Sequence, residues 1–362
     1  MNLSKNIMDK ILTIIIPTYN MEKYLRHCLD SLIVPNMDKV EVLVINDGSK
    51  DSSSAIGHEY QDKYPQTFRV IDKENGNYGS CVNRGLKEAT GKYVKVLDAD
   101  DSFDTGNFKE YVDYLEKFDV DLVLNDFTQV TDEGKVLSKW TGHNLPTNSV
   151  FGFDKLGATC NMMMHAVAYK TDNIRNIRGG YHQTEGISYT DQEWIFLPMT
   201  TVSSIVYFDK ILYKYLIGRS GQTMETSQFM KNIWMEAKSE QVMIEEYNSL
   251  DASTANMDYL RNRLRTRADV VYVNYIKYQN MTTFDLHDFD KWIKVNSPKL
   301  YDYCSAISLS APKIGISCPI VKLWREGKLK HDISYYLCLA YTSLRTMAKK
   351  KGKHITYFDG KL

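Results

Sequence analysis

The chain has 362 residues, 43% of them hydrophobic and 25% charged, a globular composition long enough for about two domains. Forty-five Lys and Arg balance 45 Asp and Glu, which excludes the strongly basic field that general nucleic-acid binding requires. The six cysteines are scattered and include no CxxC pair, so they form neither a zinc site nor a disulfide framework.

Residues 1–10 hold no apolar core of leader length, and no run approaches 18 uninterrupted apolar residues. The expectation is a cytoplasmic protein, soluble or peripheral on the inner face of the cell membrane. From residue 11, short β-rich runs alternate with longer segments of helical period. The strand candidates are 11–16, 40–45, 68–71, 93–97 and 121–124; the intervening helix candidates are 22–33, 52–64, 78–89 and 105–118. This alternation predicts an α/β fold, a mostly parallel sheet with helices on both faces.

In such sheets ligands bind beyond the carboxyl ends of the strands. Those exits read Pro17-Thr18-Tyr19-Asn20, Asn46-Asp47-Gly48-Ser49, Glu74-Asn75-Gly76-Asn77 and Asp98-Ala99-Asp100-Asp101. A single exit of this kind is an ordinary turn or helix cap. Four on one sheet edge are not. Asp98, Asp100, Asp101 and Asp104 place four carboxylates within seven residues; the cluster suits either a divalent cation with oxygen ligands, Mg²⁺ or Mn²⁺, or a helix cap. Asp47 is placed to accept hydrogen bonds from a base or ribose, and Tyr19 offers a flat face for stacking. No G-x-G-x-x-G follows the first strand, and no P-loop motif occurs in the chain.

Taken together, the four exits with Asn83-Arg84-Gly85 and Gly91-Lys92-Tyr93 resemble the family 2 glycosyltransferases with the GT-A fold, over roughly residues 11–130 and more weakly to about 225. The resemblance implies a UDP-sugar donor. Pro17, Thr18, Tyr19, Asn20, Asp47, Asn75 and Gly76 would surround the nucleotide, and Asp98-Ala99-Asp100 would form the D-x-D element meeting ribose, sugar and metal-bound diphosphate. Tyr189-Thr190-Asp191-Gln192-Glu193-Trp194 looks like the family's downstream acidic element, which makes Asp191 the implied catalytic base and Glu193 the second choice. Met164-His165 and Gly218-Arg219-Ser220-Gly221-Gln222-Thr223 resemble a bacterial branch that builds surface polysaccharide. There Arg219 would reach a phosphate and His165 would line the acceptor side. Val82 stands where many members carry an arginine, which leaves Arg84 or Lys95 for the diphosphate. Lys95, a charge within an apolar strand, is expected at a sheet edge or turned toward the acids.

The implied reaction is an inverting displacement onto a hydroxyl of a glycan or lipid-linked acceptor. Two rivals are a glycoside hydrolase, which also uses two carboxylates, and a non-catalytic nucleotide-sugar-binding scaffold. A domain boundary is placed near residue 220. Residues 1–220 would form the catalytic domain and 221–362 a helical region for acceptor, membrane-surface or homo-oligomer contacts. That region shows helical period at 229–247, 259–278 and 333–347. Two basic runs, Arg261/Arg263/Arg265/Arg267 and Lys349-Lys350-Lys351-Gly352-Lys353, are either solvated faces or contacts for anionic lipid.

Overall fold

The computed structural model describes residues 10–142, 144–177, 179–219, 225–348 and 353–356. The chain divides into two compact units, one made of 1–219 with 253–256 and 353–362, the other of 220–252 with 257–352.

The first unit opens with β1 (Leu12–Thr18), α1 (Leu25–Asp30), β2 (Val40–Asn46), α2 (Ser53–Lys63), β3 (Phe68–Asp72), α3 (Asn77–Glu88) and β4 (Tyr93–Val96). All seven residues of β2 are buried, as a strand covered on both faces demands. The register pairs Thr18 with Asn46, Asn46 with Asp72 and Ile15 with Val96, all parallel. All four strands therefore end at one edge of the sheet, where the polar exits gather. Gly85 on α3 lets the helix lie close against β1, because a Cβ there would sit 2.5 to 2.9 Å from three side-chain atoms of Ile15.

Beyond β4 the pattern changes. β5 (Ser102–Phe103), α4 (Thr105–Glu116), β6 (Leu122–Val130), β7 (Val136–Thr141), β8 (Val167–Lys170), α5 (Thr171–Arg175), α6 (Asp191–Trp194) and β9 (Ile205–Leu216) complete the main run. The sheet order is β7-β6-β8-β4-β1-β2-β3, with β8 antiparallel to both β4 and β6, and β9 running parallel to β6 and antiparallel to β5. The parallel reading holds for the half that carries the strand exits. The short β8 reverses direction in the middle of the sheet.

The second unit contains α7 (Thr226–Lys231), α8 (Ile233–Ser249), α9 (Met257–Tyr278), α10 (Leu286–Asn296), α11 (Pro298–Cys304), the antiparallel hairpin β10 (Leu309–Ala311) and β11 (Ile316–Cys318), α12 (Ile320–Arg325) and α13 (Ile333–Ala348). Its interior is tied by a buried network in which Tyr272 donates to Asp290 at 2.5 Å. Arg325 donates to the same carboxylate at 2.6 Å and lies 3.6 Å above the Tyr301 ring. The arginine run on α9 is not a free basic face. Arg261 pairs with Asp258, Arg267 with Glu236, Arg265 packs over Tyr303 at 4.8 Å and Arg263 is buried. The chain then returns to the first unit as β12 (Lys353–Thr356), parallel to β7. Among the described residues all six cysteines are free and buried, and no helix is long and apolar enough to cross a membrane.

Candidate active site

At the carboxyl edge, the exits of β1 and β2 are stitched together. The Asn20 amide donates to Ser49 Oγ at 3.0 Å, and the Lys50 amide donates to Asn20 Oδ1 at 2.8 Å. Asn20 holds φ at 54°, the left-handed region asparagine tolerates better than most residues. Gly48, with φ 73°, packs so tightly against Asn75 and Lys73 that a Cβ would lie 3.3 Å from the Asn75 amide. A cleft of about 510 Å³ opens here, lined by Tyr19, Asn46, Gly48, Lys73 and Asn75 among others. Tyr19 is 46% exposed, its ring free to meet a flat ligand.

Asp47 does not face that cleft directly. Its carboxylate is buried and accepts from Lys73 Nζ at 2.5 Å and from the amides of Gly76 and Asn77 at 3.0 and 2.9 Å. Asp47 thereby fixes the loop between β3 and α3, and Asn75 ties back to its carbonyl at 3.0 Å. In this geometry Asp47 shapes the wall of the cleft. Pro17 and Thr18 end β1 beneath it, and Thr18 O accepts from the Asp47 amide at 2.8 Å.

The second half of the site is the acidic turn after β4. Asp101 is buried and accepts from Tyr213 Oη at 2.6 Å and from the Leu216 amide at 2.7 Å, which joins the turn to β9. Asp98 accepts from Tyr78 Oη at 3.0 Å, and its own amide donates to Tyr213 Oη at 3.1 Å. Asp100 carries the guanidinium of Arg219 on its Oδ2 at 2.5 Å, both side chains nearly buried, while Arg219 also lies 5.5 Å from the Tyr24 ring. Enclosure, then the Asp100 charge, pushes the Asp98 carboxyl up to about 7, and Asp191 adds to the rise. Asp101 is pushed well up by the same enclosure and by its neighbours Asp100 and Asp98. Three carboxylates with one guanidinium partner among the described residues make a site short of positive charge.

His165 lies deep beside this turn. It is buried, stacked 4.5 Å from the Tyr215 ring and edge-on 4.7 Å from Tyr213. Its Nδ1 has no hydrogen-bond partner, and burial, with the nearby Lys95 charge, pulls its pKa down to about 3. Asp98, Asp101 and His165 each offer a donor atom, all within 4.8 Å of one another. An orphaned neutral imidazole nitrogen beside crowded carboxylates fits a divalent cation with mixed oxygen and nitrogen donors. The expectation that His165 lines an acceptor surface is corrected: its ring is enclosed by aromatic side chains.

Asp191 begins α6. Just before it, Tyr189 holds φ at 68°, a conformation that a bulky side chain adopts at a cost of about 1–3 kcal/mol and that gathers at functional sites. The segment leading to it is anchored on α3: Asn83 binds the backbone of Gln183 at 2.9 and 2.8 Å, and Gln183 Nε2 donates to Thr190 O at 2.8 Å. Asp191 is partly exposed and close enough to Asp98 and Tyr78 to raise the pKa of both. Glu193, the second choice, points inward. It is 1% exposed and accepts from the Thr184 amide at 2.7 Å, so it braces the segment and does not face an acceptor.

Two further expectations are corrected. Arg84 lies two turns along α3 and pairs with Glu88 at 3.0 Å, away from the acids. Lys95 is neither at an edge nor turned to the carboxylates; it is fully buried in β4, where its ammonium donates to Asn125 Oδ1, His165 O and Val167 O at 2.9, 2.9 and 3.0 Å. Burial pulls its pKa well down. This cage of three acceptors holds the backbone at His165 beside the acidic turn. Ser220 to Thr223 lie outside the described residues. Tyr78, Tyr213 and Lys73 were not anticipated. Tyr78 directly follows the glycine-bearing exit 74–77, a placement that signals it; nothing in the local sequence marks Tyr213.

With this geometry in place, comparison with known proteins is informative. Residues 13–168 match the family model described as glycosyl transferase family 2. The glycosyltransferase GlyA of Streptococcus pneumoniae is 26% identical over 252 residues, 66% of this chain and 35% of that protein. The uncharacterized glycosyltransferase YibD of Escherichia coli is 29% identical over 234 residues, 61% of this chain and 66% of that protein. The chain spans about a third of the length of GlyA and of a Rickettsia bellii glycosyltransferase relative, 35% and 29%. Among solved structures, S. aureus TarS 1–349 superposes with a TM-score of 0.57 at 18% identity, covering 93% of this chain and 92% of that one, and its complex with UDP-GlcNAc with 0.54. The last similarity is one of fold.

Proposed function

We propose that this chain, whose residues 13–168 form a glycosyl transferase family 2 domain, moves a sugar from a UDP-sugar donor to a hydroxyl of a glycan or lipid-linked acceptor, with inversion at the anomeric carbon. The observation that carries this reading is the convergence of Asp98, Asp100 and Asp101 with Asp191 beside the cleft at the ends of β1 to β3. TarS, of the same fold, is described with UDP-GlcNAc and with UDP, which supports a uridine nucleotide here.

In the transfer, the acceptor oxygen attacks the anomeric carbon as the bond from that carbon to the β-phosphate oxygen breaks. Asp191 takes the hydroxyl proton as a general base, and UDP departs from the opposite face. Tyr19 stacks on the uracil in the cleft, whose walls Asn75, Gly76 and Asp47 hold in place. Asp98 and Asp100 would hold Mn²⁺ or Mg²⁺, with the His165 nitrogen at hand, and a cation bound there would supply charge against the departing diphosphate. Arg219, already on Asp100, brings a second cation to the same phosphates. The reading places the protein in the cytoplasm, in the assembly of a cell-surface polysaccharide.

The test is calorimetric titration with UDP, GDP and CMP, each with and without Mn²⁺, on the parent chain and on the Asp98→Ala/Asp100→Ala variant. The expected result is UDP binding that needs Mn²⁺ and weakens about a hundredfold or more in the variant, as loss of charge-assisted ligands predicts. Binding of none of these nucleotides, combined with release of sugar from a polymer without nucleotide, would overturn the reading in favour of a hydrolase.

A further inference from the structure

The backbone at the start of α3 is pinned by three separate partners. The amides of Gly76 and Asn77 donate to the buried Asp47 carboxylate at 3.0 and 2.9 Å. The Gly76 carbonyl accepts from the Gly186 amide at 2.9 Å. Gly79 packs so closely on the segment before Asp191 that a Cβ there would lie 2.1 Å from Thr184 O. Between these anchors Asn77 holds φ at 68°, in the left-handed region that asparagine accepts more readily than most residues. Tyr78 thus springs from a backbone with little freedom to swing.

That backbone presents one hydroxyl to the acidic turn. Tyr78 Oη lies 3.0 Å from Asp98 Oδ1 and 3.4 Å from Met164 Sδ. A phenol has a single proton to give, and a carboxylate is a much stronger acceptor than a thioether, so the proton goes to Asp98. Enclosure, and then the charges of Asp98 and Asp191, push the Tyr78 hydroxyl well above its usual range and keep it protonated. The backbone of the turn is held by other groups: the Asp98 amide donates to Tyr213 Oη at 3.1 Å, and the Asp98 carbonyl accepts from the Asp101 amide at 3.0 Å. The Tyr78 hydroxyl therefore acts on the Asp98 side chain alone. It grips one carboxylate oxygen of a residue whose donor atom lies within 4.8 Å of those of Asp101 and His165.

We propose that Tyr78 is a positioning residue for the cation site, fixing the Asp98 carboxylate in the orientation that meets Mn²⁺ or Mg²⁺. A hydrogen bond from a rigidly placed donor removes the rotational freedom of a ligating carboxylate before the cation arrives. The inference rests on the reading of Asp98 as a cation ligand and goes beyond it by assigning the group that preorganises that ligand. Packing alone is the poorer account, because a phenylalanine ring would fill the same space without gripping the carboxylate.

The experiment counts free Mn²⁺ by electron paramagnetic resonance while the full chain, with UDP present, is titrated to millimolar Mn²⁺. The parent is compared with Tyr78→Phe, Asp98→Ala and the double variant. Tyr78→Phe is expected to bind Mn²⁺ about 10- to 100-fold more weakly than the parent, with unchanged thermal melting. Its bound-Mn²⁺ spectrum at saturation should differ from the parent's in line width, as a reoriented ligand requires. In the Asp98→Ala background the same hydroxyl deletion is expected to cost less than about threefold, because no carboxylate remains to be held. Mn²⁺ affinity of Tyr78→Phe within about threefold of the parent, or equal losses in both backgrounds, would overturn the proposal and leave the sugar-transfer reading standing. A parent chain that binds no Mn²⁺ would overturn both.

Discussion

Around Asp98, enclosure and the Asp100 charge hold a proton at neutral pH that an ordinary carboxyl, at 3.8, has already lost. Because the folded value, about 7, lies above the unfolded one, the Asp98 contribution to stability is present below about pH 4 and is lost as pH rises toward 7. A cation competes with that proton. Mn²⁺ affinity in the presence of UDP should therefore be about tenfold weaker near pH 5.5 than near pH 7.5, measured by titration calorimetry. At Asp191 the expectation is of another kind. Asp191→Asn keeps the side chain's shape and removes its basicity, so UDP affinity should stay within about threefold while turnover, followed as UDP release during transfer, falls about 10²- to 10⁴-fold. Asp98, Asp100 and Asp191 were all legible as sequence, because a strand exit and an acidic element name their residues locally. The long-range partners of the acidic turn were not: Tyr213 meets Asp101 across 112 positions, and Arg219 meets Asp100 across 119.

At the scale of elements, α3 is the part on which the site depends. Its N-terminus binds Asp47, its Tyr78 reaches Asp98 and its Asn83 anchors the segment leading to Asp191. The close approach of α3 to β1 rests on Gly85, and Gly85→Ala should destabilise the protein by about 1–3 kcal/mol in denaturant unfolding, since the new methyl must displace Ile15. In the second unit the buried Asp290 satisfies both Tyr272 and Arg325. Asp290→Ala leaves a nearly buried guanidinium uncompensated and should lower stability by about 3–5 kcal/mol by the same measurement. The β1–α3 alternation was readable from period and turn residues. The start of β6 was among the strand candidates, at 121–124, whereas β7 and β8 were not. Val167–Lys170 is four residues long and carries no alternation of its own, so its antiparallel place between β4 and β6 comes from the neighbours it pairs with.

For the molecule as a whole, the described residues proposed for the donor site all lie in the first unit, drawn from four strand exits, α6 and the segment that follows β9. Hydrogen exchange with UDP and Mn²⁺ should consequently show added protection at 17–24, 46–49, 73–78, 97–101 and 213–219, with the helices of 257–348 unchanged; protection spread over those helices would contradict this assignment. The amino-acid sequence by itself determined the parallel half of the sheet and the polarity of its exits. Hydrophobic period and turn chemistry are local properties, and parallel strands joined by helices must end on one edge. Only the tertiary structure decided which polar groups face the ligand space and which brace it. Asp47, Glu193, His165 and Lys95 all read as site residues in one dimension, yet Asp47, Glu193 and Lys95 turn to backbone and neighbouring side chains. His165 is enclosed by aromatic rings. That choice depends on which distant amides, carbonyls and rings the fold brings within bonding distance, and a buried polar group settles where those partners are.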